Sequence, residues 1–367
     1  MPRVLQVVLS LNPGGTERLV VELARRLHAE LPTAVCCLDS AGAWAAGLQA
    51  DGIAVTALGR RPGFRPGLAR GVERAARAHG ATVVHAHQYS PFVYSALARA
   101  FHRGPPVVFT EHGRLSDAGP SAKRRRANRL LRRYADSVFA VSKDVRAHIL
   151  AEGFLDARVG VIYNGIDVGP LPDAATRAAA RRDLGVSESD IVIGTIARLD
   201  PVKDLGALLA AASRLAETSL PCTTVVIGDG DERPNLEAQA ATLGITSRVR
   251  FLGHREDARR WLAGCDVYAN SSASEGVSLT ILEAMAAGLP IVATAVGGTP
   301  EVVTEDCGEL VPARDPEALA DAIYQFGMSA GRRNPFGTAA RARVEAHFTL
   351  DRMVESYRRV YEEVERS

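Results

Sequence analysis

A chain of 367 residues with 47% apolar and 23% charged side chains exceeds the size at which one core usually stops growing, so two globular domains are expected. No apolar run approaches the roughly 18 residues of a membrane span, and the apolar start at residues 4–11, cut short by Asn-Pro-Gly-Gly, is too short and too poorly flanked for a signal peptide. Five cysteines without a C-x-x-C pair (Cys36, Cys37, Cys222, Cys265, Cys307) imply neither a zinc site nor a disulfide framework and point to a reducing cytoplasm. The net charge of +2 hides an asymmetry. Residues 1–170 carry 23 Lys/Arg against 13 Asp/Glu, whereas residues 171–367 carry 21 against 29. A basic front half calls for an anionic partner there, such as a membrane surface or a lipid diphosphate.

The front half alternates short β-branched runs with helical stretches. Strands are expected at residues 4–9, 33–38, 55–58, 82–85, 107–110, 137–141 and 159–163, and a helix at 17–30 repeats Leu19, Val20, Leu23 and Leu27 at helical spacing. Such alternation makes a parallel sheet covered on both faces, a Rossmann-like domain whose ligands gather at the carboxyl ends of its strands. Between strand and helix stand Gly14 and Gly15, where a backbone without side chains lets a ligand approach helix N–H groups; a tight turn is the commoner use of such a pair. His112, in Thr110-Glu111-His112-Gly113, ends a strand where it can hydrogen-bond a sugar or polarise a reacting group. His85 and His87 are weaker candidates of the same kind. Lys123 to Arg133 holds seven basic residues in eleven, and a helical projection puts Arg125, Arg126, Arg129, Arg132 and Arg133 on one face, with Ala127, Leu130, Leu131 and Tyr134 on another. A solvated helix face is the commoner origin of such a run; the charge excess of this half favours a docking surface for anionic lipid.

Asn164-Gly165-Ile166-Asp167, followed by Gly169-Pro170-Leu171-Pro172, breaks the rhythm and reads as a linker. A second Rossmann-like series then begins, with strands at 191–197, 224–228, 249–252, 267–269, 291–294 and 309–311 and helices at 205–215 and 236–243. The expected division is 1–168 and 169–349, facing each other across a ligand-binding cleft, with an amphipathic helix at 350–367 packing back on the first domain. Arg198 and Lys203 close the first strand of this series. A planar guanidinium and a compact ammonium suit a diphosphate, unless the cations are merely solvated or Lys203 is paired to an acid. Asp229-Gly230-Asp231 follows a buried strand and reads as a turn, so no metal is expected.

Residues 271–290 carry the most chemistry. A small polar loop with Glu275 leads into a helix stopped by Gly288 and Pro290, with Glu283 eight residues further on. A helix start favours an anion, while the carboxylates suit hydroxyls, which together describe a nucleotide sugar: diphosphate in the middle, hydroxyl-bearing rings at both ends. Ser272-x-x-Glu275 and Thr280-x-x-Glu283 also fit capping boxes, the plainer alternative.

Taken together, Gly14-Gly15, Glu111-His112-Gly113, Arg198 with Lys203, Gly228-Asp229-Gly230, Phe251-Leu252-Gly253-His254 and Glu275-x7-Glu283 occur in the order seen in retaining glycosyltransferases of family 4, which the chain resembles over nearly its whole length. The resemblance implies an α/β GT-B fold. It also implies transfer of a sugar from a nucleotide-diphosphate donor, UDP- or GDP-linked, with retention of configuration and without metal or other cofactor. By it, Arg198 and Lys203 hold the leaving diphosphate, Glu283 the ribose, and Glu275 with the backbone of Gly276, Val277, Ser278 and Leu279 the donor sugar and phosphate. Gly253 and His254 lie near the base and His112 beside the anomeric centre. The Arg-rich helix is similar to that of bacterial members that build surface polysaccharide on lipid carriers, implying a glycan or lipid-linked acceptor, an anionic membrane surface as partner and no nucleic acid. A nucleotide-sugar 2-epimerase on the same fold and a non-catalytic sugar-nucleotide-binding protein are the alternatives.

Overall fold

The computed structural model describes residues 1–102, 104–113 and 121–366. The chain divides into two compact units, residues 1–165 with 350–367, and residues 166–349.

Unit 1 holds seven strands: β1 (Val4–Val8), β2 (Thr33–Cys37), β3 (Val55–Ala57), β4 (Val83–His87), β5 (Val107–Glu111), β6 (Ser137–Ala140) and β7 (Val159–Val161). They form one parallel sheet in the order β3-β2-β1-β4-β5-β6-β7. Every residue of β1, β2, β4 and β5 is buried, as a sheet covered by helices on both faces requires. The helix Gly15–His28 buries Leu19, Val20, Leu23 and Leu27, the stripe expected from their spacing. The last helix, Leu350–Arg366, packs on β4 and on Gly15–His28, burying Met353, Tyr357, Val360, Tyr361 and Val364.

Unit 2 holds β8 (Ile191–Ile196), β9 (Cys222–Ile227), β10 (Val249–Gly253), β11 (Val267–Asn270), β12 (Ile291–Thr294) and β13 (Gly308–Val311), again all parallel, in the order β10-β9-β8-β11-β12-β13. Its core joins Ile193, Val226, Val267 and Val292 of the sheet to Leu205, Leu208, Leu209 and Leu215 of one helix and Ile323 and Phe326 of another. In each sheet the strand order reverses once, between β1 and β4 and between β8 and β11. At such a reversal neighbouring connections leave on opposite faces and a crevice opens beyond the strand ends. No helix among the described residues is long and apolar enough to cross a membrane.

The Arg-rich helix, Ala122–Leu131, is oriented differently from its helical projection. Its buried residue is Asn128, whose side chain accepts from the Tyr89 hydroxyl at 2.9 Å and donates to the Glu152 carbonyl at 3.0 Å. Arg124, one turn earlier, pairs with Glu152 at 2.9 Å and lies 3.8 Å over the Tyr89 ring. Polar ties, not the Leu130 side, therefore dock the helix, and Leu130 is 61% exposed. The same rotation draws Arg132, one turn beyond Asn128, inward, where it donates to the Gly153 carbonyl at 2.8 Å. Of the five arginines expected on one open face, Arg125, Arg126, Arg129 and Arg133 are exposed and Arg132 is not.

Candidate functional site

Polar side chains gather at both reversals, each set within its own unit. In unit 2, β8 ends into Arg198–Lys203 and β11 into Ser271–Glu275, neighbours in space because β8 and β11 are neighbours in the sheet. The Ala273 amide donates to the Val202 carbonyl at 2.8 Å, and Ser271 Oγ donates to the Lys203 carbonyl at 3.0 Å. Lys203 Nζ thereby reaches Glu275 Oε1 at 2.7 Å, and the same oxygen accepts from Ser272 Oγ at 2.7 Å. Glu275 is nearly buried and Lys203 about one-fifth exposed, so each charge is compensated by the other. Lys203 is thus paired to an acid, as the plainer reading allowed, but the acid is Glu275 itself. Arg198 is two-thirds exposed and donates through Nε to Asp200 Oδ2 at 2.6 Å.

The helix Leu279–Ala286 starts beside this pair. Neither capping box forms: Ser272 and Glu275 lie in the loop before it, and Glu283 sits well inside it, buried. The residue at the cap position is Ser278, and its side chain makes no cap bond; Ser278 Oγ instead lies 3.1 Å from Thr280 Oγ1. Thr280 Oγ1 also accepts from the buried Tyr268 hydroxyl at 2.7 Å. The opening turn is therefore left without the side-chain acceptor that a cap serine normally supplies, and it retains its preference for an outside anion.

Gly297 holds the carboxylate loop from behind. Its φ of +54° suits glycine, and a Cβ there would stand 1.8 Å from the Glu275 carbonyl oxygen. The next amide, that of Gly298, donates to the Gly276 carbonyl at 2.9 Å. In the sequence the only sign of this support is a Gly-Gly pair two residues beyond the strand Ile291–Thr294. Val277 and Leu279 are buried. Gly253 is buried with φ +71°, and its carbonyl accepts from the Gly228 amide at 2.9 Å, while His254 is exposed. Asp229 behaves as a turn residue: Oδ1 accepts from the Gly230 amide at 2.9 Å and Oδ2 from Arg233 at 3.2 Å.

In unit 1, Gly14 is an extended cap residue and Gly15 opens the first helix, so neither needs the left-handed conformation of a glycine turn. A Cβ on Gly14 would meet the Glu17 carboxylate at 2.2 Å, whereas one on Gly15 would meet nothing. Glu111 and His112 end β5. The Glu111 carboxyl is buried, with the amides of His112 and Gly113 turned toward it, which fixes the turn carrying the imidazole. Burial, against the pull of Arg124, pushes the Glu111 carboxyl up to about 8. His112 Nε2 lies 2.9 Å from His87 Nδ1, and burial brings the His112 imidazole down to about 3, so the ring is neutral. His112 Nδ1 is buried with no partner among the described residues. His87, the weaker candidate by sequence, is tied to His112 by this contact.

Residues 13–169 match the model of Glycosyltransferase Family 4, and residues 190–327 that of Glycosyl transferases group 1. The D-inositol 3-phosphate glycosyltransferase of Corynebacterium urealyticum is 37% identical over 238 residues, 60% of this chain and 56% of that protein. The N-acetyl-alpha-D-glucosaminyl L-malate synthase of Bacillus anthracis is 28% identical over 83% of this chain and 80% of its own. The matches to inositol-phosphate transferases span about half the length of those relatives. Among solved structures, Anabaena HepE in complex with UDP and glucose shares a TM-score of 0.88 at 26% identity, covering 99% of this chain and 100% of that one. The chain belongs to glycosyltransferase family 4, and its two units are the Rossmann-like units of the GT-B fold.

Proposed function

We propose that the chain is a retaining, metal-independent glycosyltransferase that moves a sugar from a nucleotide-diphosphate donor to an acceptor hydroxyl. The observation that carries this reading is the Lys203–Glu275 pair at the β8/β11 reversal, set against a helix start without a side-chain cap. A diphosphate arriving there takes the ammonium and the helix amides, and Glu275, released from Lys203, turns to a sugar hydroxyl. Arg198, paired with Asp200 and largely exposed, closes on the same phosphates. Charge developing on the leaving diphosphate is then met by fixed cations and N–H dipoles, the largest single contribution in many enzymes. Glu283 serves the ribose, Gly253 and His254 the base, and His112 a hydroxyl of the transferred sugar. UDP is the proposed carrier, supported by HepE, whose structure holds UDP and glucose.

The proposed acceptor is a glycolipid or lipid-linked saccharide met at the inner face of a membrane. Arg125, Arg126, Arg129 and Arg133 are exposed along the same short stretch as Leu130, a combination of charge and apolar surface suited to anionic lipid. Reversing these four arginines to Glu is expected to abolish sedimentation with phosphatidylglycerol vesicles; undiminished sedimentation removes the docking role.

Thermal unfolding against a panel of UDP-, GDP- and ADP-sugars tests the donor. At one hundred times Kd a ligand of the folded state adds about 2.7 kcal/mol and raises Tm. No shift with any nucleotide sugar would sink the donor site, and an epimerised sugar formed from donor alone would make the chain a 2-epimerase.

A further inference from the structure

We infer that Gln6, His87 and Tyr361 form an ordered hydrogen-bond chain that fixes the tautomer of His112 and presents its Nδ1 as a bare acceptor. The proposal rests on the reading that His112 meets a donor-sugar hydroxyl, and it makes His87 a positioning residue for that contact.

The sheet register assembles the chain. Gln6 of β1 lies opposite His85 of β4, and His87, two residues on and therefore on the same face, lies opposite Thr110 of β5. Over that face pass Tyr357 and Tyr361 of the last helix. Gln6 Nε2 donates to the Tyr361 hydroxyl at 3.3 Å, which leaves Gln6 Oε1 to face His87 Nε2 at 2.7 Å. A carbonyl oxygen only accepts, so His87 carries its proton on Nε2. Its Nδ1 is then a lone pair, and the 2.9 Å contact to His112 requires the proton on His112 Nε2. His112 Nδ1 is left as a lone pair, at the atom that has no partner among the described residues. The other branch is consistent. The Tyr361 hydroxyl, accepting from Gln6, donates to His85 Nδ1 at 2.6 Å, His85 Nε2 donates to Thr110 Oγ1 at 2.8 Å, and Thr110 lies 3.1 Å from the Tyr357 hydroxyl.

No member of the chain is charged. Gln6, His85, His87 and Thr110 are each at most 1% exposed, and burial holds His85 and His87 far below the usual imidazole range. A neutral imidazole has one donor and one acceptor, so the direction set at Gln6 is transmitted without loss to His112. Turning the Gln6 amide over would reverse every link and make His112 Nδ1 a donor. The two orders are chemically opposite at the working atom.

The test uses the full-length chain with ¹⁵N-labelled histidine and long-range ¹H–¹⁵N correlation at neutral pH. The expected result is a His112 ring protonated at Nε2 and bare at Nδ1; a proton on Nδ1 overturns the inference, and this measurement needs no variant to fold. In His87→Leu the His112 tautomer is expected to become mixed. UDP release from UDP-glucose should then fall by about 10- to 100-fold in kcat, by analogy with the loss when the outer partner of a metal-bound histidine is removed, with KM little changed. His87→Asn places an amide oxygen near the old Nδ1 and should recover most of that loss. A purely structural His87 predicts a lower Tm with wild-type kcat per folded molecule, and that outcome also overturns the proposal. If the wild-type protein releases no nucleoside diphosphate from any nucleotide sugar, the proposed donor reading fails while the tautomer measurement still stands.

Discussion

At the β1/β4 reversal, polar groups are held by neutral hydrogen bonds inside a covered sheet; at the β8/β11 reversal they are held by ion pairs open to water on one side. The histidine chain of unit 1 contains no ion pair, and its order is complete before any ligand arrives. Lys203 and Glu275 in unit 2 instead occupy each other, and Arg198 occupies Asp200. A neutral network can be finished in advance because nothing in it repels a sugar hydroxyl. A cationic site for a diphosphate has to keep its charges compensated until the anion comes, since an uncompensated ammonium beside a nearly buried carboxylate loop would cost several kcal/mol. In unit 2 the acids Glu275 and Asp200 fill that place.

The most damaging way to break this contrast is Lys203→Ala. It removes the cation proposed to face the leaving group and strands Glu275. Turnover per folded molecule is expected to fall by about 10²- to 10³-fold, measured as UDP release, with a lowered Tm from the unpaired acid. Glu283→Ala, in a residue set well inside the helix, should act mainly on donor affinity. Wild-type turnover in Lys203→Ala would leave the ion pair as scaffolding alone.

The pH dependence of stability sharpens the contrast from the other side. The buried histidines of unit 1 have depressed values, so their contribution is present above the ordinary 6.5 and is lost as pH falls below it, where the unfolded chain takes up protons that the folded chain refuses. Glu111 works in the opposite sense. Its folded value of about 8 exceeds the ordinary 4.5, so the folded chain binds the extra proton and stability is lost as pH rises through that window. Glu111→Gln should therefore gain stability relative to wild type progressively between pH 4.5 and 8. A difference between the two proteins that does not vary with pH, in urea melts at several values, would mean that Glu111 is ionised in the folded chain.

Strand positions and the parallel arrangement were legible because a sheet buried on both faces writes continuous β-branched runs, and the observed strands begin and end within about two residues of the expected ones. That Lys203 and Glu275 come together was legible in part, because loops leaving neighbouring strands collect where the strand order reverses. Three things were not. The inward face of the Arg-rich helix is polar, so its helical projection pointed Leu130 the wrong way and left Arg132 on the open side. His87 looked secondary because its role lies in what stands across two strands, and Gln6 and Tyr361 are 355 positions apart. Ser278 fits a cap by residue type, and only the geometry shows that it does not cap.

That last point gives the smallest and most discriminating comparison. Ser142 of unit 1 is a working cap: it is buried, precedes the helix Lys143–Ala151, and accepts from the Val145 amide at 3.1 Å. Replacing it with Ala should cost about 1 kcal/mol, the usual value for losing a cap. Ser278 occupies the same position before Leu279–Ala286 without accepting such a bond, so Ser278→Ala should cost well under that amount in the same urea melt. Its effect belongs elsewhere. If the opening amides of that helix await a phosphate and Ser278 Oγ is one more donor to it, Ser278→Ala lowers nucleotide-sugar affinity while leaving the apo melt nearly unmoved. Equal costs for the two serines would show that Ser278 caps its helix in solution, and the opening turn would then have its acceptor already.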